Sequence, residues 1–557
     1  MPGKAVVAIV RTWLNTVYIS AYRARLTFFE VTTMVSNFSF KTIWLLILVM
    51  VLVLSGVLTT GVFGAGQNEA ANSGAPAQTE LIVKLFGARP KAMDAVIDEI
   101  AKRTKDSINV KLNMIFNPMA DYKAKIDVSL ASGEANDIVF TNNWSGMMQQ
   151  IAAGYYEPLD SLLAQYGPNI ISTRWGPDYM KCNTFPGPDG VFRQYVIPLT
   201  NAMMMGDGYY VRRDLRRKHN VPPIKTWGDL INFGYVIKKN EPKIWGFSCT
   251  PVLDGSWVNR YLYMMGSSKI RNYSPIVEMN GSYVLYLKNN DGMVYNLFDE
   301  MEPAVWNALL QTRKLYTDGV MYPDLFTQRE QDLLLKQGGV GASEKGDFGI
   351  IFAISDSVKQ VDPKAEYEYV SLMNFKPGSY VTRSQPWNFV AVPAVSKNKE
   401  KAIQFLNWAN SSQDNYDLCA YGIKGVTWEP VGNRQYKFIG GDYAWFPYAW
   451  IWEPTHDRLL YSMTKEDIDH QAFISDPANF TKSILTKFAF NLAPIQDDLA
   501  RIASIDSKYY VALFNGYVDP AETWPLYKAE ASKYYKRIQR EPRKTSCFCA
   551  FPSCQGR

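Results

Sequence analysis

The sequence predicts an α/β fold that is divided into at least two lobes. Strand and helix patterns alternate from residue 80 onward, as is typical of a mostly parallel sheet covered by helices. The chain has 557 residues, and one hydrophobic core rarely grows beyond about 250–300 residues. A composition of 47% hydrophobic and 20% charged residues fits folded globular lobes.

The first α/β unit is predicted between residues 80 and 140. Its helices show apolar residues at helical spacing, and its strands are short, β-branched or alternating. The predicted elements are the strands Glu80–Phe86, Ile108–Phe116 and Asp137–Phe140 and the helices Lys91–Thr104 and Asp121–Ala131. Ligands bind at the carboxyl ends of such strands, so the residues after Asp137–Phe140 are expected at a cleft edge.

Further elements follow with wider spacing. Thr226 is a predicted N-cap with an acid three residues later, which approximates a capping box. The other predicted elements are a helix over Trp306–Asp318, strands over Phe348–Phe352 and Pro386–Pro393, and an amphipathic helix over Lys399–Asn410.

The amino-terminal segment resembles an export signal. Residues 42–68 hold no charge, Ile43–Leu54 is an unbroken apolar run after Lys41, and small residues follow it. A basic flank, an apolar run and a small-residue exit are the features of a secretory signal, and an uncleaved anchor is the alternative because the stretch is just long enough to span a bilayer. Residues 1–66 are thus predicted to be a signal or anchor, and 67–79 a flexible tether. Both alternatives place the remainder outside the cytoplasm, in the periplasm or at the cell surface.

Charge and cysteine content argue against a nucleic-acid-binding protein and against a disulfide-stabilised one. Residues 1–65 contain five of the 59 basic and one of the 53 acidic residues, which leaves a nearly balanced 54 and 52 for the rest. Nucleic-acid binding normally needs a concentrated basic face. Three of the six cysteines are scattered and three lie in the last eleven residues, so no disulfide framework is expected. Residues 541–557 are predicted to be a disordered tail.

Ordered motifs resemble family 1 extracellular solute-binding proteins of ABC sugar importers, and most closely the large oligosaccharide-binding subgroup that includes alginate binders and related lipoproteins. The motifs are Ser132–Phe140, Tyr210–Leu215 with Pro223–Leu230, Phe389–Ala394 with Ser396–Trp408, and Asn515–Pro520. They extend over residues 80–540.

The resemblance implies a two-lobed clamp of the periplasmic-binding-protein type II kind, with hinge crossings and an extra helical C-terminal region. It assigns residues 80–198 and 345–395 to lobe one, and 200–340 and 396–540 to lobe two. Tyr195–Thr200 would form the first crossing, and closure around ligand is the expected motion.

Aromatic residues beside loop signals are the main candidates for ligand contact. Aromatics make up 14% of the chain, and a flat ring stacks well on the apolar C–H face of a sugar. The alternative for each tryptophan is an ordinary place in the core. The predicted ligand-binding residues are Asn142, Asn143, Trp144, Trp257, Arg260, Tyr261, Trp387, Asn388, Trp428, Trp445, Trp450 and Glu453.

The sequence therefore predicts a carbohydrate-binding protein without catalytic residues, metal or other cofactor. Catalytic signatures such as HExxH, GxSxG and Walker A are missing from the sequence. The loop that holds calcium in alginate-type relatives corresponds to Phe185–Gly190, which has one carboxylate, and Leu287–Gly292 begins with Leu where a calcium loop needs Asp. The expected partners are a carbohydrate and ABC permease subunits, with the protein a monomer. A sensory protein with the same clamp and a glycoside-processing enzyme are the alternatives.

Overall fold

The computed structural model describes most of the chain after residue 77, and these residues lie in one compact unit that begins at Pro76. The described ranges are 78–143, 146–173, 183–199, 208–248, 257–258, 282, 284–287, 293–324, 333–345, 358–373, 375–381, 386–432, 434–440, 443, 449–481 and 493–540. The predicted signal or anchor, the predicted tether up to residue 77, the tail and the strand Phe348–Phe352 lie outside them, and Thr79 of the predicted tether begins the first strand.

Strands and helices alternate through the described ranges. The strands are β1 Thr79–Phe86, β2 Val110–Asn117, β3 Ile138–Asn142, β4 Thr184–Pro186, β5 Phe192–Gln194, β6 Val196–Pro198, β7 Gly208–Arg212, β8 Trp245–Ser248, β9 Leu285–Leu287, β10 Val294–Asn296, β11 Val340–Lys345, β12 Tyr367–Val370, β13 Tyr380–Val381, β14 Asn388–Ala391, β15 Trp428–Val431, β16 Gln435–Phe438, β17 Leu459–Leu460 and β18 Phe480–Thr481. The helices are α1 Met93–Thr104, α2 Met119–Ala131, α3 Met147–Ala152, α4 Asp160–Tyr166, α5 Pro168–Thr173, α6 Arg213–Lys218, α7 Trp227–Asn240, α8 Pro303–Thr317, α9 Leu333–Lys336, α10 Lys399–Ala409, α11 Gln413–Tyr421, α12 Lys465–Ser475, α13 Gln496–Phe514 and α14 Pro520–Arg540.

The first sheet has five strands in the order β2-β1-β3-β14-β6. β1 pairs in parallel with both β2 and β3, and β14 runs antiparallel to β3 and to β6. Leu81, Val83 and Leu85 of β1 are fully buried, since a central strand is covered on its faces. The predicted strands and helices between residues 80 and 140 are confirmed.

The second sheet has four strands in the order β12-β7-β11-β8. β8 and β11 are parallel, and β7 is antiparallel to both β11 and β12. α7 packs on this sheet and starts with the predicted capping box between Thr226 and Asp229. An ion pair fastens α6 to β12, where Arg216 Nε lies 2.5 Å from Glu368 Oε1, and another joins Arg212 of β7 to Asp362, which precedes β12.

Two hydrophobic clusters follow this division. One surrounds the first sheet and continues beneath the C-terminal helices, and the other lies against the second sheet and α7. α13 and α14 form an antiparallel pair that packs on α8, so the predicted extra helical region is present. β15, β16 and β17 form a small sheet whose first residue, Trp428, belongs to the first cluster.

The predicted lobe assignment stays a prediction, and the two sheets divide the chain at somewhat different places. Of residues 345–395, predicted for lobe one, β14 pairs with β3 of the first sheet whereas β12 pairs with β7 of the second. Of residues 396–540, predicted for lobe two, α10 and α11 pack on α4, α5 and α1 beside the first sheet. β6, which ends at the predicted limit of lobe one, pairs with β14 as a strand of the first sheet. Sheet membership depends on strand pairing between segments that are far apart in sequence.

None of the helices in the described ranges is both long enough and apolar enough to cross a membrane.

Candidate functional site

Four predicted site residues meet at one edge of the first sheet. β3 ends at Asn142, β14 begins at Asn388, and these two residues are register partners. The amide N–H of Asn143 donates to the carbonyl of Trp387 at 3.1 Å, and the Asn143 side chain donates to the carbonyl of Pro386 at 2.7 Å. The pairing of β3 with β14 therefore brings two distant polar segments together.

Asn142 presents an unsatisfied acceptor at this edge. Its side chain is 1% exposed, and its Oδ1 accepts no hydrogen bond from any residue that the structure describes. A buried polar atom without a partner costs about 1–3 kcal/mol, and a donor on a ligand would remove that cost. Trp387 beside it is half-buried.

The strand behind this edge is held rigidly. Thr141 donates to Oε1 of Gln150 at 3.0 Å, and Tyr156 donates to the same oxygen at 2.7 Å. The amide of Gln150 donates in turn to Asp127 at 2.7 Å. The network fixes the end of β3 from the face opposite to the unsatisfied Asn142 and so keeps the edge preorganised.

A second polar edge belongs to the second sheet. β8 and β11 are parallel, so their carboxyl ends, Ser248 and Ser343–Lys345, lie at the same edge. The Ser248 hydroxyl donates to Ser343 Oγ at 3.0 Å, and both serines and Glu344 are buried. These residues were not predicted, because the sequence Val340–Lys345 resembles a polar loop; polar residues after the Gly-Gly pair 338–339 were the available signal.

The chain connects these two edges directly. It leaves the first sheet after Pro198 and enters the second at Gly208, which pairs with Lys345 at the polar edge. It leaves the second sheet at Val370 and re-enters the first at Asn388. Both connections therefore begin and end at the polar edges, and a molecule bound between the edges would lie beside them.

Four other predicted site residues, Trp257, Trp428, Trp450 and Glu453, contact core or turn partners within the chain, and their assignment as ligand contacts stays a prediction. Trp257 is 0% exposed and packs against Tyr209, Trp227 and Phe247. Trp428 is 2% exposed, and its Nε1 donates to the Gly422 carbonyl at 3.1 Å.

Trp450 and Glu453 have equally clear packing roles. Trp450 is 0% exposed and lies against Phe405. Glu453, also 0% exposed, accepts hydrogen bonds from Thr455 N at 2.9 Å and His456 N at 2.8 Å and so closes a turn. The remaining predicted residues, Trp144, Arg260, Tyr261 and Trp445, lie outside the described residues.

Asp457, close to Glu453, is a carboxyl group surrounded by aromatic hydrogen-bond donors. Its oxygens accept hydrogen bonds from Tyr421 at 2.7 Å, Trp452 at 3.0 Å and Tyr416 at 3.2 Å. Burial raises the pKa of Asp457 above its ordinary value. Because three core side chains occupy its oxygens, this carboxyl group organises the packing around the small sheet.

The described residues contain no group of three His, Cys, Asp or Glu side chains placed to bind a metal ion. In the stretch that corresponds to the calcium loop, Asp189 forms two hydrogen bonds with the guanidinium group of Arg193, at 2.9 and 2.7 Å. This pairing lowers the pKa of Asp189 to about 2. Its carboxylate is therefore already bound to a cation within the chain.

Comparisons with known proteins agree with this architecture. The model of a family described as bacterial extracellular solute-binding protein matches residues 87–416, and a domain of unknown function (DUF3502) matches residues 484–545. A carbohydrate ABC transporter substrate-binding protein of Streptococcus pneumoniae is 22% identical over 506 residues, covering 88% of this chain and 94% of that protein.

Solved structures show the same fold. The N-glycan transport solute binding protein of Streptococcus pneumoniae, in complex with Man1GlcNAc, matches with a TM-score of 0.66 and 18% identity, covering 86% of this chain and 100% of the other. An alginate-binding protein without calcium ion matches with a TM-score of 0.55 and 18% identity, over 84% and 98% of the two chains.

Proposed function

Since the chain belongs to the bacterial extracellular solute-binding proteins, we propose that it captures an oligosaccharide between its two polar strand edges and delivers it to an ABC importer. The observation that carries this proposal is the pair of edges, one at Asn142 and Asn388 and the other at Ser248 and Ser343, joined by the two connections. The names of the pneumococcal relatives support the sugar class.

The chemistry of the edges suits a polyhydroxylated ligand. Amide and hydroxyl groups both donate and accept hydrogen bonds, as each sugar hydroxyl does. The unpaired Oδ1 of Asn142 would accept from a ligand hydroxyl, and Trp387 would offer an aromatic surface to a sugar ring. A buried polar group that a wrong ligand leaves without a hydrogen bond costs more free energy than one such bond contributes. The site would therefore discriminate against ligands that lack the matching hydroxyl.

Capture requires no bond to be broken, and we propose binding without catalysis. If the two edges approach each other, fixed amides and hydroxyls would replace the water around the ligand. The ligand would then bind the closed conformation more tightly than the open one, and this difference in affinity would drive closure. The family acts outside the cytoplasm, and we propose residues 42–66 as the export signal or anchor. Permease subunits are the proposed partners and a monomer is the proposed state.

Calorimetric titration of the full chain in mild detergent tests the proposal. The probes are Man5GlcNAc, an alginate oligosaccharide and a control peptide. We expect saturable binding of at least one glycan with a micromolar or lower Kd. Binding of the peptide with no response to any glycan would refute the carbohydrate assignment.

A matched pair of variants tests the site itself. Asn142→Ala removes the unsatisfied acceptor and should weaken glycan binding about tenfold, since a hydrogen bond of this kind contributes about 1 kcal/mol or more. Asn113→Ala changes an exposed asparagine of β2 in the same sheet, which donates to Glu80, and should leave binding unchanged. Equal effects of the two substitutions would move the site away from the β3 edge.

A further inference from the structure

A cluster of rings joins two passages of the chain between the sheets. We name it the aromatic brace; its members are Phe375, Tyr380, His470, Phe473 and Phe480. Phe375 and His470 are stacked with ring centroids 3.8 Å apart and an interplanar angle of 4°. Phe473 meets Phe375 edge to face at 5.4 Å and contacts Phe480 at 5.8 Å.

One side of the brace lies on the connection that leads to the candidate site. Phe375 and Tyr380 follow the end of β12 in the second sheet and precede Trp387 and Asn388 at the edge of the first. Tyr380 is fully buried and belongs to the cluster of the second sheet. This connection is therefore anchored to the second core before it reaches the first sheet.

The other side of the brace lies on a third connection between the two cores. The first connection runs from Pro198 to Gly208 and the second from Val370 to Asn388. β17 pairs with β16 in the small sheet associated with the first cluster, whereas Ile474 of α12 and Phe480 lie in the cluster of the second sheet. The chain thus passes from one core to the other between Leu460 and α12. A capping box between Thr464 and Asp467 fixes the start of α12 directly after this passage.

Backbone contacts reinforce the rings. β13 pairs in parallel with β18, with Tyr380 opposite Phe480, and the amide of Gly378 donates to the carbonyl of Asn479 at 2.9 Å. Burial lowers the pKa of His470, which favours the uncharged ring, and an uncharged ring is suited to flat stacking on Phe375. The second and third connections are thereby joined where residues 375–381 meet residues 470–481.

We propose that the aromatic brace is a positioning element of the clamp, which makes the second and third connections move with the second sheet as one body and fixes the point from which the chain delivers Trp387 and Asn388 to the ligand. The proposal rests on the proposed function for its effect on ligand affinity. Its mechanical part, that the two connections are held by each other, stands on the contacts alone.

Hydrogen exchange on the unliganded full chain, followed by mass spectrometry, tests the mechanical part. His470→Ala removes the stack, and exchange should accelerate about two- to tenfold in peptides from both 375–381 and 465–481, the range expected for one aromatic pair. His470→Phe keeps a flat ring and should restore protection in both peptides. Gln471→Ala, at a neighbouring position that bonds to Ser475 within the same helix, is the matched control and should not change either peptide.

Titration with whichever probe glycan binds the unmodified chain tests the functional part. His470→Ala should raise the Kd about two- to tenfold, and His470→Phe should restore it. Phe375→Leu, which keeps apolar volume without a ring, should reproduce the His470→Ala result in both measurements.

Three results separate the outcomes. Faster exchange in 465–481 with no change in 375–381 would overturn the brace, because α12 would then loosen without releasing the other connection. An unchanged Kd in His470→Ala would overturn its role in positioning Trp387 and Asn388. If no glycan binds the unmodified chain, the proposed function fails, and the exchange data still decide whether the brace exists.

Discussion

The buried carboxyl group of Asp506 should make the stability of the C-terminal helices depend on pH. Asp506 of α13 is 0% exposed and accepts hydrogen bonds from Tyr527 and, at 2.5 Å, from Tyr535, both on α14. Burial raises its pKa to about 7, against about 3.9 for a free aspartate. The folded state therefore binds this proton more tightly than the unfolded state does.

The sign and size of the effect follow from linkage. Between about pH 4 and pH 7 the folded chain holds a proton that the unfolded chain has lost, so the free energy of unfolding falls as pH rises through this window. Below it both states are protonated and above it both are ionised, so the contribution becomes constant. A shift of about 3 pKa units corresponds to at most about 4 kcal/mol.

The test compares Asp506→Asn with the unmodified chain by urea unfolding, followed by circular dichroism, from pH 4 to pH 8. Asn keeps the shape and an acceptor oxygen but cannot ionise. We expect the two chains to have similar stability near pH 4 and the variant to be more stable at pH 8 by up to about 4 kcal/mol. Asp497→Asn, which changes an exposed carboxylate in the first turn of the same helix, is the control. Parallel stability curves for Asp506→Asn and the unmodified chain would refute the reasoning.

Three further predictions concern the stability of the folded chain. Trp257→Ala should lower the free energy of unfolding by about 3–5 kcal/mol in urea titrations, because it leaves a large cavity in the second core. Gly516→Ala should lower Tm more than Gly432→Ala, although both glycines have positive φ. A Cβ added at 516 would lie 2.5 Å from a carbonyl oxygen of α8, whereas a Cβ added at 432 would have no atom within 4 Å. Glu368→Gln should cost about 1–3 kcal/mol by calorimetry, because it breaks the paired hydrogen bonds to the buried guanidinium of Arg216; a loss under about 0.5 kcal/mol would assign the pair to solvent-screened surface electrostatics.

The sequence predicted local features well and long-range ones poorly. The buried strand Asp137–Phe140 and the polar residues after it were recognised from a short apolar run, and β14 from its flanking prolines. That Asn142 and Asn388 become partners depends on pairing across much of the chain, and no local pattern encodes it.

The tryptophans were the harder case for prediction. A Trp beside loop signals has the same local pattern whether it lies in the core or in a cleft. Only the fold shows that Trp257 packs against Tyr209 and Phe247, or that the guanidinium of Arg458 lies 5.3 Å from the ring of Trp428. Ser248 and Ser343 were missed for the converse reason, since buried polar residues resemble an exposed loop in sequence.

β14 is synthesised long after β3, its partner in the first sheet, and this order affects folding during synthesis. One edge of β3 gains its partner only when residues 388–391 have been made, since Asn142 pairs with Asn388, 246 residues further along. At a synthesis rate of about 5–20 residues per second this delay lasts on the order of 10–50 s. Throughout that interval the nascent amino-terminal half exposes an open strand edge, which other chains could pair with. Closure of the first sheet is therefore slow and non-local, because the entropy of closing a long loop must be overcome before this pair forms.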